Sequence, residues 1–138
     1  MYQETIKVYP FYKDSWTIVS DKIAEKQVDR SIFKYGQFVI PKYIVYFFEA
    51  DNLKPGNKNE INLFHSNKLY SADVTMDITE KIKLSFEKEL KDVINTELFF
   101  CSRCFIEDDY ATDEIKNRPY IRFNKVSENL YKIEFLIR

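Results

Sequence analysis

Glycine is nearly missing from this chain, with 2 in 138 residues beside 4 prolines. That scarcity excludes collagen-like and low-complexity material. It also leaves no glycine-rich loop to cradle a phosphate. Cysteine is as sparse, at 2 residues, too few for a disulfide scaffold. His65 is the single histidine, which excludes any mechanism that needs two. No apolar run approaches the ~20 residues of a membrane helix, and Met1-Tyr2-Gln3-Glu4-Thr5 lacks the basic and apolar regions of a secretory leader. Charge of one sign is missing too: 21 basic and 22 acidic residues leave a net charge of −1. The balance is even along the chain, so no part is an obvious nucleic-acid arm. Neutrality of this kind weakens non-specific polyanion binding and leaves room only for a local basic face. A soluble cytoplasmic protein with no membrane partner is the expectation.

Aromatic residues are abundant: 12 Phe, 10 Tyr and 1 Trp, far more than a disordered chain carries. A chain of 138 residues is expected to form one domain over 1–138. At this size it buries roughly two-thirds of its unfolded surface, enough for a core without metal or disulfide support.

Alternation predicts seven strands. Trp16-Thr17-Ile18-Val19 is short and β-branched, and Gln37-Phe38-Val39-Ile40 runs from a glycine to Pro41. Ile61 to His65 and Tyr70 to Met76 flank a tight turn at Ser66-Asn67-Lys68. The remaining strands are Ile82 to Phe86, Ile121 to Asn124 and Tyr131 to Phe135, the last two joined at Ser127-Glu128-Asn129. Lys54-Pro55-Gly56-Asn57-Lys58-Asn59 reads as a loop. Two helices are expected. One is short and opens at Pro41; the other is capped by Ser85 and runs to about Asn95. Asp21 to Phe33 is ambiguous between a helix and a structured arm. Phe99, Phe100, Phe105 and Ile106 read as strand. The sum is a β-rich α+β domain, a sandwich or an open barrel.

Signals for chemistry are weak. Cys101-Ser102-Arg103-Cys104 has the spacing of a zinc or redox pair, but no second pair completes a zinc site, so buried core cysteines are expected. His65 has no partner at ligand spacing and reads as a surface or strand-end residue. The acidic run Asp108, Asp109, Asp113 and Glu114 lacks the turn glycine of a calcium loop and reads as a solvated face. Glu89-Leu90-Lys91 has the letters of a nuclease site, yet falls in an expected helix. A binding module without catalytic residues, metal or cofactor is therefore expected.

Trp16-Thr17-Ile18-Val19-Ser20-Asp21, a variable segment, and Tyr35-Gly36-Gln37-Phe38-Val39-Ile40-Pro41-Lys42 together resemble the DNA-binding pseudobarrel family. That family includes the plant B-three transcription-factor domain and the effector-binding domain of EcoRII-type restriction endonucleases. Ile40-Pro41-Lys42 and Phe47-Phe48 stand where the family has a strand end and an aromatic helix end. Ile61-Asn62-Leu63, Tyr70 to Thr75 and Lys81-Ile82-Lys83-Leu84 follow its rhythm of strand, hairpin and strand. The match covers roughly residues 16–95. Val28-Asp29-Arg30-Ser31-Ile32-Phe33-Lys34 replaces the glycine-rich arm of the restriction-enzyme members.

The resemblance implies a seven-stranded open pseudobarrel with two flanking helices. It also implies two arms that grip the major groove of duplex DNA, one over Ser20 to Tyr35 and one over Met76 to Lys81. Lysine and arginine would neutralise phosphates, while glutamine, serine and threonine would face base edges or backbone. The candidates are Lys22, Lys26, Gln27, Arg30, Ser31 and Lys34 in the first arm, and Thr79, Lys81 and Lys83 at the second. By the same analogy the chain would be part of a bacterial restriction system, with a nuclease domain or subunit as a further partner. The alternative is a protein-interaction module such as a small immunity or inhibitor protein. That reading is favoured by the acidic run, the near-neutral charge and the tyrosines.

Overall fold

The computed structural model describes residues 8–107 and 118–137. The strands are β1 (Phe11–Lys13), β2 (Trp16–Ser20), β3 (Ile23–Gln27), β4 (Gln37–Ile40), β5 (Lys58–His65), β6 (Lys68–Met76), β7 (Ile82–Phe86), β8 (Tyr120–Ser127) and β9 (Leu130–Leu136). The helices are α1 (Arg30–Tyr35), α2 (Lys88–Glu97) and α3 (Phe99–Glu107), and a 3-10 segment covers Lys42–Phe48. The strands form one curled, open sheet in the order β1-β2-β3-β8-β9-β5-β6-β7-β4. Among the described residues every neighbouring pair is antiparallel except β5 with β9, where Asn62 to Phe64 lie parallel to Leu130 to Lys132.

The β-rich α+β class expected from alternation is the class observed, as a half-barrel. The strand number is not: there are nine, not seven. All seven expected strands form. β1 was not anticipated, and β3 emerges from the segment that read as ambiguous. In β3 the buried residues are Ala24, Glu25 and Lys26 in succession, so both faces are covered and no alternation marks the strand. Glu25 is held by Arg122 of β8, with Oε2 2.6 Å from Nη2.

The two expected helices become three and a 3-10 segment. α1 is only six residues long but closed at both ends. The Asp29 carboxylate accepts from the Ile32 N–H at 3.1 Å, and Gly36, at φ 66°, donates its N–H to the Ile32 carbonyl. Ser85 does not cap α2; it stays in β7 opposite Gln37 and Asp73, and the helix opens after Glu87. The stretch with Phe99, Phe100, Phe105 and Ile106 is helical, not extended. Its buried positions, Leu98, Cys101, Ser102 and Phe105, follow helical spacing, while Phe99 and Phe100 face solvent.

The expected turns form at Ser66-Asn67 and between β8 and β9, while Lys58 and Asn59, expected in a loop, open β5. Ser66 and Asn67, at φ 48° and 64°, form the two-residue turn whose twist matches a hairpin, and β5 and β6 run in register from Lys58↔Thr75 to His65↔Lys68.

An aromatic cluster closes the curl. Trp16 of β2 and Phe38 of β4 come from opposite margins of the sheet, yet their ring centroids lie 5.5 Å apart. Phe48 of the 3-10 segment and Phe123 of β8 pack edge-on at 5.3 Å, and Phe38 meets Phe123 at 5.8 Å. Tyr131 is fully buried and donates its hydroxyl hydrogen to the Phe47 carbonyl at 2.5 Å.

Candidate nucleic-acid interface

Strand direction gives the sheet two unlike ends. β6 alone has nine residues and spans roughly 27 Å at the usual rise. At one end lie the Asp21-Lys22 turn between β2 and β3, the β6–β7 loop, the β8–β9 turn and the start of β5. At the other lie α1, α2 and α3, which follow Gln27 and Phe86 and precede Tyr120.

The turn end is built by hydrogen bonds between short polar groups. Lys22 sits in a two-residue turn whose carbonyl accepts the Lys125 N–H at 2.8 Å, fastening it to β8. In the β6–β7 loop, Asp77 Oδ1 accepts from the Thr79 N–H at 2.9 Å, the Thr79 hydroxyl at 2.7 Å and the Lys81 N–H at 2.9 Å. These bonds, led by the Thr79 hydroxyl, hold the Asp77 carboxyl below the usual carboxylate range. The loop is thus pinned at its base and presents Ile78, 90% exposed, at its tip. The Gly56 N–H donates to the Met76 carbonyl at 2.9 Å, joining the loop before β5 to the root of the β6–β7 loop.

Beside the β2–β3 turn, lined by the β8–β9 turn and the segment leading into β5, lies an open cleft of about 980 Å³. Lys22, Lys125 and Asn129 stand on one side, and Asn57, Lys58 and Asn59 on the other. Asn59 donates its side-chain amide to Asn129 Oδ1 at 3.0 Å across the floor. Glu49, Asp51 and Glu128 also line the cleft, and two lysines near it are paired: Lys125 with Glu49 at 3.1 Å, Lys58 with Asp73 at 3.8 Å. Lys22 and Lys81 make no ion pair among the described residues.

The nine residues singled out by resemblance divide between the two ends. Lys22, Thr79, Lys81 and Lys83 are at the turn end, Lys83 on the outer face of β7 between Val39 and Thr75. Lys26, Gln27, Arg30, Ser31 and Lys34 are towards the helices. Ser20 to Tyr35 is therefore not a projecting arm: β3 is an interior strand between β2 and β8, and α1 packs on α3. The Lys26 ammonium is buried, 3.1 Å from Asp29 Oδ2 and 2.5 Å from Ser15 Oγ. Desolvation pulls its pKa below the usual lysine range against the opposing pull of Asp29. Gln27 ends β3 with its N–H on the Ser15 carbonyl. Arg30 Nε donates to the Phe105 carbonyl at 3.2 Å, bracing α1 against α3. Ser31 is half-buried on α1, and Lys34 is exposed on its last turn.

Sequence reasoning did not single out Lys58, Lys125, Asn57, Asn59 or Asn129 as site residues. Turn chemistry placed Asn57 and Asn129 in loops, but the parallel β5–β9 pairing that brings Asn129 to Asn59 leaves no local signal.

The remaining chemical candidates lie elsewhere. His65 is buried, with Nε2 2.6 Å from Glu97 Oε2 and Nδ1 3.3 Å from the Ile133 carbonyl, an arrangement that ties β5 to α2 and β9. Cys101 and Cys104 are free thiols on α3; burial, and then the neighbouring Cys104, push the Cys101 thiol up to about 11. Glu89-Leu90-Lys91 is helical, with Leu90 in the core and Glu89 paired to Lys68. Asp108, Asp109, Asp113 and Glu114 fall outside the described residues. Among the described residues no three His, Cys, Asp or Glu side chains gather where a metal ion could be held, and no helix is long and apolar enough to cross a membrane.

No family model matches the chain, and no curated protein does. Among solved structures the chain is similar to the N-terminal domain of Helicobacter pylori LlaJI.R1, a restriction-system protein. The identity is 20% and the TM-score 0.56, over 83% of this chain and 80% of the other. The likeness is one of fold.

Proposed function

We propose that this chain is a non-catalytic duplex DNA-binding module of the pseudobarrel type. It senses sequence or base modification and serves a restriction-type system. The observation that carries this reading is the placement of the β2–β3 turn and the β6–β7 loop at the same end of the sheet, each with a lysine that makes no ion pair among the described residues. The likeness to a restriction-system domain supports the same reading.

Lys22 at the cleft and Lys81 on the β6–β7 loop act as phosphate grips, with Lys83 beside the second. Thr79 on the loop and the amides of Asn57, Asn59 and Asn129 in the cleft supply donors and acceptors to base edges. The β6–β7 loop is narrow and pinned by Asp77, a shape that enters a major groove about 12 Å wide. The first arm is reduced to a turn, so contacts are fewer than a long arm would make. Affinity then depends on few phosphates and on the partner nuclease domain or subunit for reinforcement.

The test is fluorescence anisotropy of a mixed-sequence duplex, unmodified and cytosine-modified, over a range of salt. Binding should weaken on a log–log salt plot, with each neutralised phosphate contributing about −0.9 to the slope. Lys22→Glu and Lys81→Glu should each lower affinity and flatten that slope by about one contact. Lys34→Glu, at the helical end, should do neither. Absence of binding at low salt, or equal sensitivity to Lys34→Glu, would overturn the proposal.

A further inference from the structure

The helical end carries a second concave surface that the DNA reading does not use. A groove of about 720 Å³ lies where α1, α2 and α3 meet. Phe99 and Ile106 supply its apolar surface over buried Phe33, and among the described lining residues Lys34 and Lys91 stand with the Asp92 carboxylate, Arg103 lying over Phe99. Phe99 is 59% exposed and Ile106 46%, and the adjoining Phe100 is 81% exposed. Large apolar side chains so exposed on one short helix mark a surface that meets a partner.

The groove is preformed. Asn95 of α2 donates to the Phe33 carbonyl of α1 at 3.2 Å and to the Lys91 carbonyl at 2.9 Å. Its Oδ1 accepts the hydroxyl of Ser102 on α3. One asparagine therefore fixes all three walls. Phe33 stacks on Phe105 at 5.6 Å beneath the floor. The Lys91 stem lies so close over Gly36 that a Cβ there would come within 3.0 Å of Lys91 Cδ, so the stem is laid down in one place. The Arg103 guanidinium sits 5.5 Å from the Phe99 ring centroid. Surfaces whose side chains are already ordered lose little entropy on binding.

We propose that this groove docks an acidic, apolar segment of a partner protein. Charge complementarity selects the occupant: Lys34 and Lys91 beside an aromatic floor favour carboxylates interleaved with large apolar side chains and disfavour basic segments. The inference is independent of DNA binding, and because the two surfaces lie at opposite ends of the strands, both can be filled at once.

A random peptide display library panned on the whole chain tests this without presupposing a sequence. Peptides rich in Asp or Glu with Phe, Leu or Trp should be enriched. A synthetic copy of the most enriched peptide should lose affinity by about tenfold or more on Phe100→Asp and on Lys34→Glu. Both positions are exposed, so the variants should fold as the parent does. Lys132→Glu, an exposed lysine on β9, should leave peptide binding unchanged. Enrichment of basic or uncharged peptides, no enrichment, or binding indifferent to both groove variants would overturn the proposal. So would binding of a single-stranded oligonucleotide that depends on Phe100 and Lys34, which would assign the groove to base stacking.

Discussion

At the turn end of the sheet the chain is held by backbone hydrogen bonds and short polar side chains; at the helical end it is held by stacked rings and one bridging amide. Asp77 organises the β6–β7 loop through three bonds that all reach within four residues of itself. Asn95 organises the other end through contacts up to 62 residues apart in sequence. Local bonds shape a loop without coupling it to the core, so the turn end tolerates change. Long-range packing couples the helices to the whole fold, so the helical end does not. A ligand that approaches the turn end meets charges screened by water. One that approaches the helical end meets an apolar, ordered surface.

The sharpest break of this contrast is Phe105→Ala. The ring is 1% exposed and stacks on Phe33, so its loss should cost about 3–5 kcal/mol in urea unfolding. Hydrogen exchange should show the loss concentrated in α1 and α3. A cost below about 1 kcal/mol would mean that the helical end is not coupled to the core, and the contrast would fail.

Asn95→Ala should come next, at about 1–2 kcal/mol, because it removes bonds to α1 and α3 together. Asn57→Ala, an exposed asparagine of the turn end, should fall within about 0.5 kcal/mol. The two asparagines differ in whether they bridge elements, and equal costs would remove the distinction.

The difference between the ends also governs what could be read from sequence. Strands with one face covered were legible: β6 from Tyr70 onward and β7 throughout alternate buried and half-buried positions. β3 was not, because Ala24, Glu25 and Lys26 are buried in succession, Glu25 against Arg122 far away in the chain and Lys26 against Ser15 and Asp29. α3 was misread because its two most exposed rings, Phe99 and Phe100, outweighed the helical spacing of Leu98, Cys101, Ser102 and Phe105. The lysines at the turns could be named, since turns are local. Their division from Arg30 and Lys34 could not, since it follows from β3 crossing the sheet. The asparagines of the cleft meet only through the β5–β9 pairing, a long-range contact with no sequence signature.

Lys26 gives the smallest and most specific effect. Its ammonium belongs by sequence to the expected first arm, yet it is buried beside Asp29 and Ser15. Burial lowers its folded-state pKa below the ordinary lysine value of 10.5, with Asp29 offsetting part of the cost. In the window between the lowered folded value and 10.5, the unfolded chain binds the proton more readily than the folded one. Stability therefore rises with pH there, with a slope of at most about 1.4 kcal/mol per pH unit for one proton. Two half-buried tyrosines act in the opposite sense: desolvation pushes Tyr43 and Tyr46 up to about 12, so their contribution is present below pH 10 and lost as pH rises through 12. The two effects separate when the parent is compared with Lys26→Met, which keeps the tyrosines. The parent-minus-variant difference in unfolding free energy should climb with pH through that window and be flat below it. A flat difference throughout would place the Lys26 ammonium in water, as an arm residue should be, and would return it to the DNA-binding face.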